Sequence, residues 1–460
     1  MPKLDPNSTD FRAAGHRLID WVADYLDGVD RHPVLSRVKP GEIAAQLPGA
    51  PSADGRPYEE LIADFDAKLL PGVTHWNHPA FFAYFAITGS QAGILAELLT
   101  AALNTNGMLW RTSPSLTELE TVTLRWLRDA LGLPDDLFGI INDTASINSF
   151  LALAAAREAL GLDIRGQGMA GRDLPPLRVY CSEHAHSSID KAALALGFGA
   201  GGIVHIESDA QFRMRPDALE AAIARDRAAG ALPCFVTATT GTTSTGAVDP
   251  VRAVGEIAAR EKIWLHVDSA YAGSATICPE LRSIWDGIEY ADSIVVNPHK
   301  WLFTPIDCSV LYTRKPEMLR RTFSLVAEYL RTSDSAEINY MDYGIQLGRR
   351  FRALKLWYVM EHYGLERLRG VIRDHVRYAE RLADELRAKP GVEVMTQSFS
   401  VVVFRLTAGD EATMAAMERM NASGRLFVSH TKLQGRYGIR VAIGNGATEW
   451  EHVARVLEFV

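Results

Sequence analysis

Three residues of the 460-residue chain combine into one chemistry: Lys300 in Asn297-Pro-His-Lys-Trp301, Asp268 one strand-and-helix unit earlier, and His186 just after Val179-Tyr-Cys-Ser182. A lysine in apolar surroundings (HKWLF) at the mouth of a buried sheet has its charged form disfavoured by desolvation, which frees the amine to form a Schiff base. The carbonyl it could hold is that of pyridoxal phosphate. The pyridine nitrogen of that cofactor needs a neighbouring carboxylate to stay protonated and act as an electron sink, and Asp268 is of the right type. His186 could stack on the ring or be a polar side chain in a strand-to-helix turn.

The segment Asp143-Thr-Ala-Ser-Ile-Asn148 lies between a strand and the helical run SFLALAAAREAL. Small and hydroxylated residues there suit either a phosphate held at a helix N-terminus or an ordinary N-cap, and the segment alone does not choose. Two other patterns are decoys. Gly197-Phe-Gly-Ala-Gly-Gly202 has the letters of a dinucleotide fingerprint but follows a helix and precedes a strand, the reverse of what that fold requires. Glu183-His-Ala-His186 has no matching Cys/His set elsewhere, so no metal is expected.

The elements that must position these groups can be read from hydrophobic periodicity. From about 85 to 350, helical stretches alternate with apolar, β-branched runs at 138–141, 177–182, 202–207, 234–240, 263–268, 293–297 and 308–313. Such alternation predicts an α/β fold with a large, mostly parallel sheet buried between helices, whose ligand sits at the strand carboxyl ends. Asp268, Asn297 to Lys300, His184 and His186, Thr239 to Thr243, and Asn142 to Ser146 all fall there. Ahead of the sheet come an amphipathic helix near 11–25 and a Pro- and Gly-rich strap over 33–58. Behind it, a long helix over 365–388 precedes strands at 392–396, 400–406, 426–431 and 437–443 and a helix near 411–421, which predicts a small antiparallel α+β unit.

Composition narrows the partners. Charged residues make up 23% of the chain, and 48 Lys+Arg against 56 Asp+Glu give a net charge of -8, with no basic footprint for nucleic acid or an anionic membrane. The four cysteines are dispersed, no signal-peptide pattern opens the chain, and no apolar run is long enough to span a bilayer. A reduced, cytoplasmic protein is expected.

Several longer stretches carry a resemblance. NPHKW (297–301), HVDSAYAGS (266–274), THWNHPAFFAYF (74–85), SPSLTELE (113–120), AHSS (185–188) and LGRRFRALKLW (347–357) resemble the group II pyridoxal-phosphate-dependent amino acid decarboxylases. Within that group the chain is most similar to the aromatic-L-amino-acid decarboxylases, in order from about residue 10 to the C-terminus. The resemblance implies fold type I, with a dimerisation segment at 1–84, a large seven-stranded cofactor domain at 85–350 and a small domain at 351–460. It also implies a homodimer with its active site at the subunit interface.

Carried over residue by residue, Lys300 resembles the Schiff-base lysine, Asp268 the pyridine-nitrogen partner and His186 the histidine stacked on the ring. Thr144, Ala145 and Ser146 match the phosphate turn, and Thr243, Ala270, Asn297 and His299 match further cofactor contacts. Trp76, Tyr84 and Phe85 match the substrate side-chain pocket, which Asn106, Met108 and Gly348 would help to shape, the first two from the partner subunit. Tyr329 matches the loop tyrosine that reprotonates the substrate carbon after carbon dioxide leaves. The implied reaction is decarboxylation of an aromatic L-amino acid, tryptophan being the first substrate to test, with tyrosine, 3,4-dihydroxyphenylalanine and phenylalanine beside it. An aldehyde synthase acting on the same amino acids is the alternative, and Tyr329 favours the amine.

Overall fold

A computed structural model of the protein describes residues 8–325 and 337–460. All seven predicted runs form strands of one sheet: β1 (Phe138–Asn142), β2 (Leu177–Ser182), β3 (Ile203–Ile206), β4 (Leu232–Thr239), β5 (Trp264–Asp268), β6 (Ser293–Val296) and β7 (Ser309–Thr313). Their order is β1-β7-β6-β5-β4-β2-β3. Strands β2 to β6 pair in parallel, whereas β7 runs antiparallel to both β6 and β1. The cause is the length of the β6–β7 link, residues 297–308, whose helix is only the turn Pro298–Trp301. That is too short for a parallel crossover, so the chain returns antiparallel beside β6. The carboxyl ends of β1, β2, β4, β5 and β6 therefore share one edge, with the Lys300 turn above it.

Strand alternation divides the core between two faces. Val179, Cys181, Phe235 and Trp264 pack with the helix Ala145–Ala159, while Tyr180, Val236 and Leu265 pack with the helices Pro114–Leu131, Pro216–Ala228 and Val251–Glu261. Adjacent residues of a strand point to opposite faces, and both faces are covered, which is why these runs are apolar throughout. The fingerprint-like glycines lie between the helix Ser188–Ala195 and β3, in the helix-to-strand link that the sequence indicated.

The C-terminal part departs from the expected boundaries chiefly at one strand. The helical stretch Arg352–Arg387 is broken at Gly364, which takes φ 68° and ψ 159°, so a separate long helix follows from residue 365, where the sequence predicts it. A glycine bears that conformation without a side-chain clash. Beyond it, β8 (Val392–Ser398), β9 (Val401–Leu406), β10 (Ser429–Leu433) and β11 (Arg436–Ala442) form an antiparallel sheet in the order β10-β11-β9-β8. Strand β10 begins later than predicted because the apolar run 426–428 is used elsewhere. Phe427 exchanges backbone hydrogen bonds with Ala80 and Phe82 at 3.1 and 2.8 Å, and this ties residues 80–82 to the small sheet.

The N-terminal helix is Ser8–Gly28, and the strap that follows contains only short turns. Phe11 is 65% exposed in the single chain, and the helix Gln91–Leu103 leaves Leu98 and Leu103 at 53% and 62%.

Candidate active site

Lys300 reaches its place through local chain chemistry. Pro298 suits the first position of a helical turn because its φ is already fixed, and the Lys300 amide closes the turn on the Asn297 carbonyl at 3.0 Å. The lysine is thereby turned back over the end of β6 into an apolar wall. Its Nζ lies 5.2 Å from the centroid of the Phe85 ring. Phe85 stacks on Tyr271 at 4.0 Å, Tyr271 on Trp301 at 4.8 Å, and Trp301 lies parallel to His375 at 6.4 Å. Hydrogen bonds hold the row in place: Trp301 Nε1 donates to His375 Nδ1 at 3.0 Å, and the Tyr271 hydroxyl pairs with Ser400 Oγ at 2.6 Å.

Burial lowers the pKa of Lys300, Asp268 partly restores it, and Arg440 lowers it again. Among the described residues, no carboxylate comes within ion-pair distance of its amine. Asp268, the last residue of β5, is buried and accepts from the Ala270 amide through Oδ1 at 3.1 Å. His186 is also pushed down, first by burial, with Asp268 opposing and Lys300 adding to the shift. The Ser188 amide donates to His186 Nδ1 at 3.2 Å, and the Ser188 hydroxyl lies 2.9 Å from the same nitrogen. An accepting Nδ1 leaves the proton of the neutral ring on Nε2. Burial takes His299 down to about 3, so it is neutral and accepts from the Cys308 amide at 3.0 Å.

The remaining predicted residues separate into groups. Thr144 caps the helix Ala145–Ala159, its hydroxyl accepting from the Ile147 amide at 3.4 Å, so the segment is an N-cap, with Ala145 and Ser146 opening the helix. Asn297 is buried and bound to Ser309. Thr243 presents its carbonyl to Arg440, and Ala270 is buried beside Asp268. Trp76 stacks on Tyr84 at 5.9 Å, and Phe85 belongs to the Lys300 wall. Asn106 instead accepts from the Arg349 amide at 3.0 Å, and Gly348 stands next to it: a Cβ on Gly348 would lie 4.0 Å from Asn106 Nδ2. Met108 packs with Leu109 and Met341. The contacts of Asn106 and Gly348 thus lead to each other and to Arg349, and those of Met108 to Leu109 and Met341, none of them to Lys300. Tyr329 lies outside the described residues.

Arg440 of β11 was not singled out from the sequence. It is 3% exposed, donates from Nε to the Thr243 carbonyl at 2.7 Å and from Nη1 to the Tyr84 carbonyl, and sits 4.6 Å over the Phe85 ring that Lys300 also faces. Among the described residues its buried Nη2 has no hydrogen-bond partner, and burial lowers its pKa to about 10. The available signal was an arginine inside an otherwise apolar strand, GIRVAI. A buried charge without a carboxylate is costly unless something else meets it.

A depressed lysine amine, a buried carboxylate, a neutral imidazole and an unmet guanidinium at one sheet edge suit carbonyl capture followed by chemistry on a carboxylated amine. Comparison with known proteins bears on this directly. A family model described as the pyridoxal-dependent decarboxylase conserved domain matches residues 40–407. The chain is 39% identical to a phenylacetaldehyde synthase of Arabidopsis thaliana, over 99% of this chain and 96% of that protein, and 40% identical to tyrosine decarboxylase 2 of the same plant, over 100% and 88%. Its fold matches that of Oryza sativa TDC solved with PLP and tryptamine with a TM-score of 0.95 at 38% identity, covering 100% of this chain and 98% of that one. The resemblance seen in short motifs thus extends along the whole chain, which belongs to the pyridoxal-dependent decarboxylase family.

Proposed function

We propose that the protein is a carboxy-lyase that converts an aromatic L-amino acid to its amine and carbon dioxide with pyridoxal 5'-phosphate. The observation that carries this reading is Lys300: a half-buried lysine whose amine has a lowered pKa and, among the described residues, no ion pair, against an aromatic wall and near Asp268. The residues fit the cofactor. Lys300 is the amine for its carbonyl, Asp268 the carboxylate for its pyridine nitrogen, and Thr144, Ala145 and Ser146 stand at the N-terminus of a fifteen-residue helix where a phosphate is favoured. Thr243, Ala270, Asn297 and His299 complete the proposed contacts.

When bound, the cofactor supplies an electron sink conjugated to the substrate Cα. The chain's residues do the rest. Lys300 yields its place to the substrate amine and reclaims it at the end. Asp268 keeps a proton on the ring nitrogen. Arg440, through its unpartnered Nη2, meets the substrate carboxylate, a contact that ends when neutral carbon dioxide forms. His186, carrying its proton on Nε2, and Tyr329 return a proton to Cα. Trp76, Tyr84 and Phe85 receive the aromatic side chain, with Asn106, Met108 and Gly348 shaping the pocket from the second group.

The two groups meet if two chains assemble, and the apolar faces of the helices Ser8–Gly28 and Gln91–Leu103 are the surfaces that a second copy would cover. In this reading residues 1–84 are the dimerisation segment, 85–350 the cofactor domain and 351–460 the small domain. Among the described residues no helix is long and apolar enough to cross a membrane, and all four cysteines are free and buried, as suits a reduced, cytoplasmic protein.

The second reading, an aldehyde synthase, is favoured by the phenylacetaldehyde synthase relative, which is as similar as the tyrosine decarboxylase. One assay separates the two. With Trp, Tyr, 3,4-dihydroxyphenylalanine, Phe and His as substrates, amine and carbon dioxide without oxygen uptake are expected, fastest with one of the first four. Aldehyde, ammonia and peroxide in equal amounts would establish the synthase instead. Tyr329→Phe should move product from amine towards aldehyde, and an unchanged ratio would remove Tyr329 as the proton donor.

A further inference from the structure

Four buried side chains cross the sheet edge between the N-terminus of the helix Ala145–Ala159 and the Lys300 turn. Asn142 ends β1, Asn148 lies in the first turns of that helix, Ser309 opens β7, and Asn297 precedes Pro298; all are at most 4% exposed. Asn142 Nδ2 donates to Asn148 Oδ1 at 2.7 Å, Asn148 Nδ2 donates to Ser309 Oγ at 2.7 Å, and Ser309 Oγ donates to Asn297 Oδ1 at 2.5 Å. Every bond points the same way along the chain. Asn142 and Ser309 are register partners across β1 and β7, so the sheet itself sets the spacing.

The hydroxyl couples the two amides, so with Asn148 donating to Ser309 the orientation of Asn297 is set. Ser309 has one hydrogen. Because it accepts from Asn148, that hydrogen goes forward to Asn297, and the Asn297 carbonyl oxygen is occupied. The Asn297 amide nitrogen is left as the outward end of the relay, presenting N–H donors. If the Asn297 amide rotated by half a turn, two donors would converge on Ser309 Oγ, its hydrogen would have no acceptor, and an oxygen would face outward.

We propose that Asn148 and Ser309 are positioning residues that fix the Asn297 amide with its N–H donors outward, making it selective for an anionic group, the cofactor's phosphate. This rests on the pyridoxal phosphate reading above. Neither residue touches the cofactor; each acts through Asn297. Without the relay, the amide could present its oxygen as readily, and an oxygen repels a phosphate.

The test is equilibrium binding of pyridoxal phosphate and of pyridoxal, which lacks the phosphate, to the apo form of the full-length protein. It is read by the borohydride-reducible absorbance of the lysine adduct and accompanied by the melting temperature of each apo protein. Ser309→Ala and Asn148→Ala should each weaken binding of pyridoxal phosphate about tenfold, one hydrogen-bond donor's worth, while pyridoxal binding stays within about twofold. Ser309→Thr, which keeps the hydroxyl, should restore the wild-type ratio and serves if an alanine variant does not fold. Equal losses for both ligands, or no loss for either, would overturn the proposal. Failure of the underlying reading would look different: wild-type protein would form no reducible adduct with either ligand.

Discussion

Two lysines, one sealed inside the molecule and one half-buried, separate architecture from chemistry by their surroundings. Lys355 is 1% exposed and lies between acids: Glu97 is 2.6 Å from its Nζ and Asp307 is 3.9 Å away. Arg352 grips Asp307 through two bonds of 3.0 and 3.1 Å, and Arg350 holds Glu97 at 2.6 Å, so the helix starting at Arg352 is bound to the helix Gln91–Leu103 and to the 297–308 link. Lys300 has the opposite setting, with a ring beneath it, a second cation near it and no ion pair among the described residues. A paired lysine clamps its acids; an unpaired one in apolar surroundings is pushed towards the neutral amine, which is the nucleophilic form. Burial by itself therefore does not mark a functional lysine, whereas apolar surroundings without a carboxylate in contact do.

The comparison can be broken at either lysine. Lys300→Ala should lower turnover at least about a thousandfold, the scale of losing a covalent catalytic group, and abolish the borohydride-reducible absorbance, while leaving the melting temperature near that of the wild-type apo protein. Retained turnover would assign the chemistry to another amine. Lys355→Met keeps the stem but leaves Glu97 and Asp307 partly uncompensated, and about 3 kcal/mol of stability should be lost in denaturant unfolding. The folded fraction should still bind the cofactor. A change in its absorbance spectrum with no change in stability would reverse the roles given to the two lysines.

A smaller effect would sharpen the contrast. Asp268 raises the Lys300 pKa against the lowering by burial and by Arg440. Replacing it with Asn removes the negative charge that favours the charged amine, so the neutral amine should persist to lower pH. The rate at which the apo protein captures the cofactor aldehyde should then reach half its maximum at a lower pH than in the wild type. A shift to higher pH, or none, would mean that Asp268 does not act on Lys300.

Much of the site's location was legible because strand ends are legible. Asp268, Asn297 and Lys300 follow apolar β-branched runs, and in a sheet with both faces covered the residue that ends such a run stands at the edge where ligands bind. Arg440 was missed because its neighbours, Tyr84 and Thr243, are remote in sequence and no periodicity links them. The Asn148 relay was missed for a related reason: an asparagine in the first turns of a helix resembles capping chemistry until β7 comes in beside it. The later start of β10 has the same origin, since Phe427 is apolar enough for a strand but pairs with residues 80–82 instead.

The sequence by itself determined the seven strands and their burial, the edge on which the chemistry collects, and the family, because hydrophobic period and local motifs are properties of neighbouring residues. Only the tertiary structure decided which of the two inward lysines lacks a counter-charge, that Arg440 joins the Phe85 wall, and that Asn142, Asn148, Ser309 and Asn297 join in one relay. Those features depend on groups brought together from distant parts of the chain, and the electrostatic and hydrogen-bond energies that distinguish them act only over the few ångströms that folding creates.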